Sequence, residues 1–240
     1  NPVTIESVYD LASLTKLFST TLAIMKLKEE GKIQLKKKIV SYLPEAKGTD
    51  KASITIEKLL LHEAGLVPYI EFYKEAFDSL GRAKKGYFET QSSDSFNLRV
   101  ADNIFAKTDN SSRILKKILA SPLREKGKYV YSDNDFLLLG FIVERIVGMP
   151  LEQYVKNEFY DPLGLTQTGY HPLDRIKREN IVPTQFDSAF RHQLLRGDVH
   201  DPGAAMFGGV AGHAGLFSNA VELASIMQMV LNKGELNGKK

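Results

Sequence analysis

The chain has 240 residues, 43% of them hydrophobic, and a formal net charge of +3 from 32 basic and 29 acidic side chains. That length supports one sizeable core, and a near-balanced charge with no basic patch interleaved with aromatics excludes nucleic-acid binding. The chain holds no cysteine, which excludes disulfides, thiol nucleophiles and cysteine-zinc sites and leaves the compartment open.

Helical periodicity predicts segments over Leu11 to Glu30, Thr55 to Glu63, Ser111 to Ala120, Asp135 to Val147, Leu151 to Phe159 and Ala220 to Leu231. Gly65, Pro122, Gly148 and Gly234 supply stops, and Asn219 with Glu222 has the spacing of a capping box. Strand signal is thin: only "SITI" (53–56) and "KYVY" (128–131) read as extended. Pro68 to Asn110 has no steady period and reads as a long, partly helical excursion. The fold class expected is therefore mainly α, in a single domain spanning 1–240. Asn1 is not an initiator methionine and the chain stops soon after a helix, so we expect a partial domain, cut at both ends. No apolar run reaches the roughly 20 residues that cross a bilayer, and the first residues show no secretory pattern. No transmembrane segment is expected.

Chemistry first surfaces in "YDLASLTKLFSTTLAIMKLKEEGK" (9–32). Ser13 and Lys16 are three residues apart, so both sit on one face of a helix and can touch. A serine hydroxyl is a weak nucleophile until a base takes its proton or a positive field stabilises its alkoxide. A helix N-terminus offers that field, and a lysine adds a full charge or, once desolvated, a base. The same four residues also fit a plain helix cap followed by a surface lysine. A second group stands in "KYVYSDNDFLLLGFIVERIVG" (128–148), where Tyr131, Ser132 and Asp133 enter a strongly apolar helix.

Together with "LLLHEAGL" (59–66), "YDPLGLTQTGY" (160–170) and "GGVAGHAGLFSNAVELASIMQMVLNKG" (208–234), these motifs resemble the serine beta-lactamase and penicillin-binding protein superfamily. The order and spread of the motifs are most similar to the class C beta-lactamase-related branch, with its D-alanyl-D-alanine carboxypeptidases and esterases. The resemblance implies that Ser13 is the acylated nucleophile, Lys16 its activating partner and Tyr131 the proton shuttle. It makes Asp133 a substrate-binding position, where relatives carry asparagine. It also implies a peptide or small-molecule substrate of peptidoglycan type, no cofactor, and a periplasmic or cell-envelope setting. An ionised aspartate accepts hydrogen bonds but donates none, which points toward substrates that present an amine.

The sequence departs from the family in one respect. Members carry a Lys-Thr-Gly or His-Thr-Gly motif on a strand of a mostly antiparallel sheet, and neither tripeptide occurs here. "QTG" at Gln167 lies in a loop signature and "HAG" at His213 precedes a capped helix, so neither is taken as that motif. We accordingly expect the helical portion of the α+β fold with most of its sheet missing. "YSDN" also contains the Ser-Asp-Asn triplet of class A enzymes, but the helix that follows favours the tyrosine frame. The five histidines, His62, His171, His192, His200 and His213, show no helical i, i+4 pair of the kind that holds zinc, so no metal site is expected. Two hypotheses remain: a serine hydrolase working through an acyl-enzyme, or a beta-lactamase-like binding or scaffold module that has lost turnover.

Overall fold

The computed structural model describes residues 2–238. The segment carrying Ser13 is not one uniform helix. A 3₁₀ turn over Ala12–Leu14 leads into a π-helical stretch, Lys16–Thr21, and only then into α1, Leu22–Glu29. The wider π turn, closed by i→i+5 bonds, lets Lys16, Phe18, Ser19 and Thr20 all face inward. Their polar groups are tied to distant segments. Thr20 donates to the Gly212 carbonyl at 2.7 Å, Ser19 pairs with the Tyr170 hydroxyl at 2.9 Å, and Tyr160 donates to the Phe18 carbonyl at 2.8 Å.

The remaining helices are α2 Ile56–Leu60, α3 Asn110–Ala120, α4 Asp133–Val147, α5 Leu151–Val155, α6 Asp161–Leu163, α7 Pro202–Ala205 and α8 Ala220–Leu231. A second π stretch, Lys156–Tyr160, joins α5 to α6. The cap predicted at Asn219 is present, its side chain accepting from the Glu222 N–H at 2.9 Å. The reciprocal half is not, because the Glu222 carboxylate instead takes the Gln167 N–H and the Thr168 hydroxyl. Gly148 ends α4 in the left-handed conformation, as expected of a glycine stop.

The central element is α4. Leu138, Leu139, Ile142 and Val143 on it are fully buried, and it packs against the serine segment, α1, α2 and α5. Each such side chain contributes about 1.5–3 kcal/mol by leaving water. The chain before α8 comes close to α4 only because both contact points are glycines. A Cβ on Gly212 would stand 2.1 Å from the Phe136 carbonyl oxygen, and one on Gly140 3.3 Å from the Gly212 backbone.

The expectation of a mainly helical chain lacking most of its sheet is corrected here. The protein is 40% helical and 11% strand, with sheets present. Strand β1 (Tyr9–Asp10) pairs with β7 (Phe217–Ser218), β2 (Phe88–Glu89), β4 (Ile104–Ala106) and β3 (Leu98–Ala101) form a three-stranded antiparallel sheet, and β5 (Phe186–Asp187) pairs with β6 (Gln193–Leu194). Pieces of two to four residues are too short for alternation to show in sequence. The excursion from Pro68 to Asn110 holds three of these strands and a 3₁₀ turn, Phe72–Ala76. Neither expected strand forms as such. "SITI" runs into α2, with Thr55 as its cap, and "KYVY" is not a strand, Val130 instead donating to the His62 carbonyl. Among the described residues no helix is long and apolar enough to cross a membrane.

Candidate active site

Strand β1 sets the position of Ser13. The Leu11 N–H donates to the Leu216 carbonyl at 2.9 Å, and the Leu216 N–H donates back to Thr15 Oγ1 at 3.1 Å. Between them Ala12 adopts φ +45°, a left-handed conformation that side chains other than glycine adopt at a cost of order 1–3 kcal/mol. Asp10 holds that turn. Its carboxylate accepts the Ala12 N–H at 2.8 Å and the His200 N–H at 2.6 Å, and burial pushes its carboxyl up despite those two bonds. Ser13 therefore sits on an over-determined turn.

Lys16 is 3% exposed. Its ammonium donates to Ser13 Oγ at 2.9 Å, to Asp133 Oδ1 at 2.7 Å and to the His213 carbonyl at 3.4 Å. An ammonium has three donors, and all three have acceptors here. The ammonium also lies over the Tyr131 ring, 4.7 Å from its centroid. The structure thus brings together all four residues singled out from sequence: Ser13, Lys16, Tyr131 and Asp133. Lys16 meets the face of Tyr131.

Ser132 is turned away. It is fully buried, and its hydroxyl donates to the Val67 carbonyl at 2.7 Å. Its backbone N–H donates to His62 Nδ1 at 3.2 Å, and the same nitrogen lies 2.8 Å from Asp135 Oδ2. Burial pushes the Asp135 carboxyl up to about 6, against the opposing pull of His62. The His62 ring in turn packs on Tyr131 with centroids 4.6 Å apart.

Two residues were missed from sequence. His213 Nε2 lies 2.9 Å from Asp201 Oδ1, close to Asp133. Burial raises the Asp201 carboxyl, but His213, the Ala204 N–H and Lys16 more than offset that and hold it at about 2. Asp201 was visible only as an N-cap before Pro202, which it is for α7. Asp133, Asp201 and His213 present three ligand-type atoms within 4.8 Å of one another. Asp133 is already engaged by Lys16 and His213 by Asp201.

Comparison with known proteins places this geometry. A family model described as Beta-lactamase matches residues 1–240. A protein named "Putative D-alanyl-D-alanine carboxypeptidase" from Escherichia coli (strain K12) is 34% identical over 247 residues, covering 95% of this chain and 51% of the relative. An N-acetylmuramyl-L-alanine amidase from Bacillus subtilis (strain 168) is 35% identical over 251 residues, with the same 95% and 51% coverage. The chain thus spans about half the length of the curated relatives it matches. Among solved structures, the class C beta lactamase from Rhodobacter sphaeroides aligns with TM-score 0.64 at 21% identity, over 99% of this chain and 55% of that one. The octameric penicillin-binding protein homologue from Pyrococcus abyssi aligns with TM-score 0.66 at 23% identity, over 98% and 47%. The fold match along nearly the whole chain completes the correction of the mainly helical expectation. With its family model matched from end to end, the chain belongs to the beta-lactamase family of serine hydrolases.

Proposed function

We propose that the protein is a hydrolase of the D,D-peptidase and beta-lactamase type, acting through an acyl-enzyme on Ser13, with D-amino-acid peptides, beta-lactams or small esters as substrate class. The observation that carries this reading is the buried Lys16 ammonium donating to Ser13 Oγ at 2.9 Å. Such a contact stabilises the alkoxide as it forms. Because its three donors face three acceptors, Lys16 acts as a fixed cation. That leaves Tyr131 to take and return the proton, its ring held against the same ammonium. The Ser13 N–H supplies one donor for the oxyanion. The carbonyl carbon bonds to Ser13 Oγ as its bond to the leaving group breaks, and the serine proton passes through Tyr131 to that leaving group; water then attacks the acyl carbon, the bond to Ser13 Oγ breaks, and water's proton returns through Tyr131 to the serine.

Relatives named as a D-alanyl-D-alanine carboxypeptidase and an N-acetylmuramyl-L-alanine amidase support peptide substrates of peptidoglycan origin and a cell-envelope setting. Incubation with a fluorescent penicillin and, separately, a fluorophosphonate, followed by peptide mapping, tests the reading. A label on Ser13 from either reagent, lost in Ser13→Ala, supports it. No label from either favours the scaffold alternative.

A further inference from the structure

Tyr131 has no regular element to hold it. Residues 129–132 are neither helix nor strand, α4 begins at Asp133, and the Tyr131 side chain is exposed. A group that moves a proton must stay within hydrogen-bond reach of it, so the tyrosine has to be fixed from elsewhere. The stretch 62–68, after α2, does this. The Gly127 N–H donates to the Glu63 carbonyl at 3.0 Å, the Val130 N–H to the His62 carbonyl at 2.8 Å and the Asp133 N–H to the Pro68 carbonyl at 2.8 Å. The Ser132 hydroxyl and the Asn134 amide both donate to the Val67 carbonyl.

His62 holds the chain on both sides of Tyr131. Its carbonyl takes the Val130 N–H, and its ring Nδ1 takes the Ser132 N–H at 3.2 Å. Its backbone lies at φ +55°, a left-handed conformation that persists in residues other than glycine where surrounding contacts over-determine it. The imidazole then packs on the side chains around the tyrosine. Its centroid is 4.6 Å from the Tyr131 ring, 5.3 Å from Phe136 and 6.0 Å, edge to face, from Tyr129. The Tyr131 ring thus touches two groups, the Lys16 ammonium and the His62 imidazole. An apolar residue at 62 could fill the same buried space without the cost of burying a polar ring. It could not accept the Ser132 N–H.

We propose that His62 is the positioning residue for Tyr131, fixing where the phenol oxygen stands relative to Ser13. The inference rests on the hydrolase reading above, in which Tyr131 moves the serine proton, and adds the residue through which that tyrosine is aimed. A residue that served the scaffold alone would affect labelling equally whatever stood at 131.

The test is the rate of Ser13 labelling by a fluorophosphonate, per folded protein as judged by circular dichroism, in wild type, His62→Ala, Tyr131→Phe and the double variant. Misplacing a reacting group by about 1 Å costs up to about 10²-fold. His62→Ala should therefore slow labelling about 10–10²-fold where Tyr131 is present and less than about twofold in Tyr131→Phe. His62→Asn keeps an acceptor for Ser132 and suits the left-handed backbone but gives up the ring. It should slow the wild-type background by less, about threefold to tenfold, and again leave Tyr131→Phe unchanged. If His62→Ala does not fold, the His62→Asn cycle decides alone. Equal slowing in both backgrounds, or no slowing beside Tyr131, overturns the positioning role and leaves the hydrolase standing, as does failure of both variants to fold. A wild type that takes no label at Ser13 overturns both.

Discussion

Asp133 and Asp135 stand two residues apart in the first turn of α4 and occupy different worlds. Asp133 opens toward the cleft and is paired at 2.7 Å with a lysine, so its charge has a partner. Asp135 is 1% exposed, has one oxygen without a partner, and meets only a histidine. Burial there pushes the carboxyl up to about 6. A step of two residues rotates a helix by roughly 200°, which carries one carboxylate to the Lys16 side and the other to His62, in the packing behind Tyr131. Chemistry and scaffold thus share a single turn. Substitutions on the two sides are expected to have separable effects: on acylation in front, on pH-dependent stability behind.

The largest effect is expected at the front. Lys16→Met removes the cation from Ser13 and strands Asp133, and Ser13 labelling by a fluorophosphonate should slow about 10³-fold or more. An unchanged rate would break the assignment of the front side to chemistry. Tyr131→Phe keeps the ring over Lys16 and removes the phenol, so acylation should fall about 10²–10⁴-fold as for a lost proton-transfer group. Ser132→Ala, by contrast, should leave acylation near wild type and cost about 1 kcal/mol in urea unfolding, since its hydroxyl serves only Val67. The reverse ranking would move the shuttle to Ser132.

The rear carboxylate sets a pH signature. In the unfolded chain Asp135 titrates near 3.9, and in the folded chain near 6, so between those values the native state binds more protons. Stability from this group is full below about pH 4 and is lost as pH rises through 6, by about 2–3 kcal/mol. Urea unfolding of the wild type and Asp135→Asn at pH 4.5 and 7 measures it. The variant should lack that share of the slope, and identical slopes would show that Asp135 is not the source. The smallest effect sharpens the contrast from the other side: Asp133→Asn should lessen this slope only slightly, since burial outweighs the Asp133 charge in raising Asp135, and reduce acylation by about tenfold, read by the same labelling assay.

What the sequence made legible was local. The Ser13–Lys16 contact follows from spacing three on a helical turn, and α8 follows from its period and its Asn219 cap. The apolar run after Asp133 favoured Tyr131 over Ser132, and the structure turns the Ser132 hydroxyl to the Val67 carbonyl. Three things were hidden. The strands are too short to show a period, and the π turn that faces Lys16 and Thr20 inward is held by Gly212 and Tyr170, far along the chain. Asp201 and His213 had the same fault. Each looks like a cap or a loop residue until folding sets it beside Asp133, and no spacing rule connects residues 133, 201 and 213.

The β1–β7 pairing has a further consequence for how the protein comes to exist. Tyr9 lies opposite Ser218, and Leu11 and Thr15 are both bound to Leu216, so the turn bearing Ser13 is clamped across about two hundred residues of chain. Closing so long a loop is entropically the most remote step available to this sequence, and contacts of such separation form late. Ser13 is added to the growing chain about two hundred residues before Leu216 and Ser218. The turn that bears its hydroxyl is clamped only once those later residues have been made and paired.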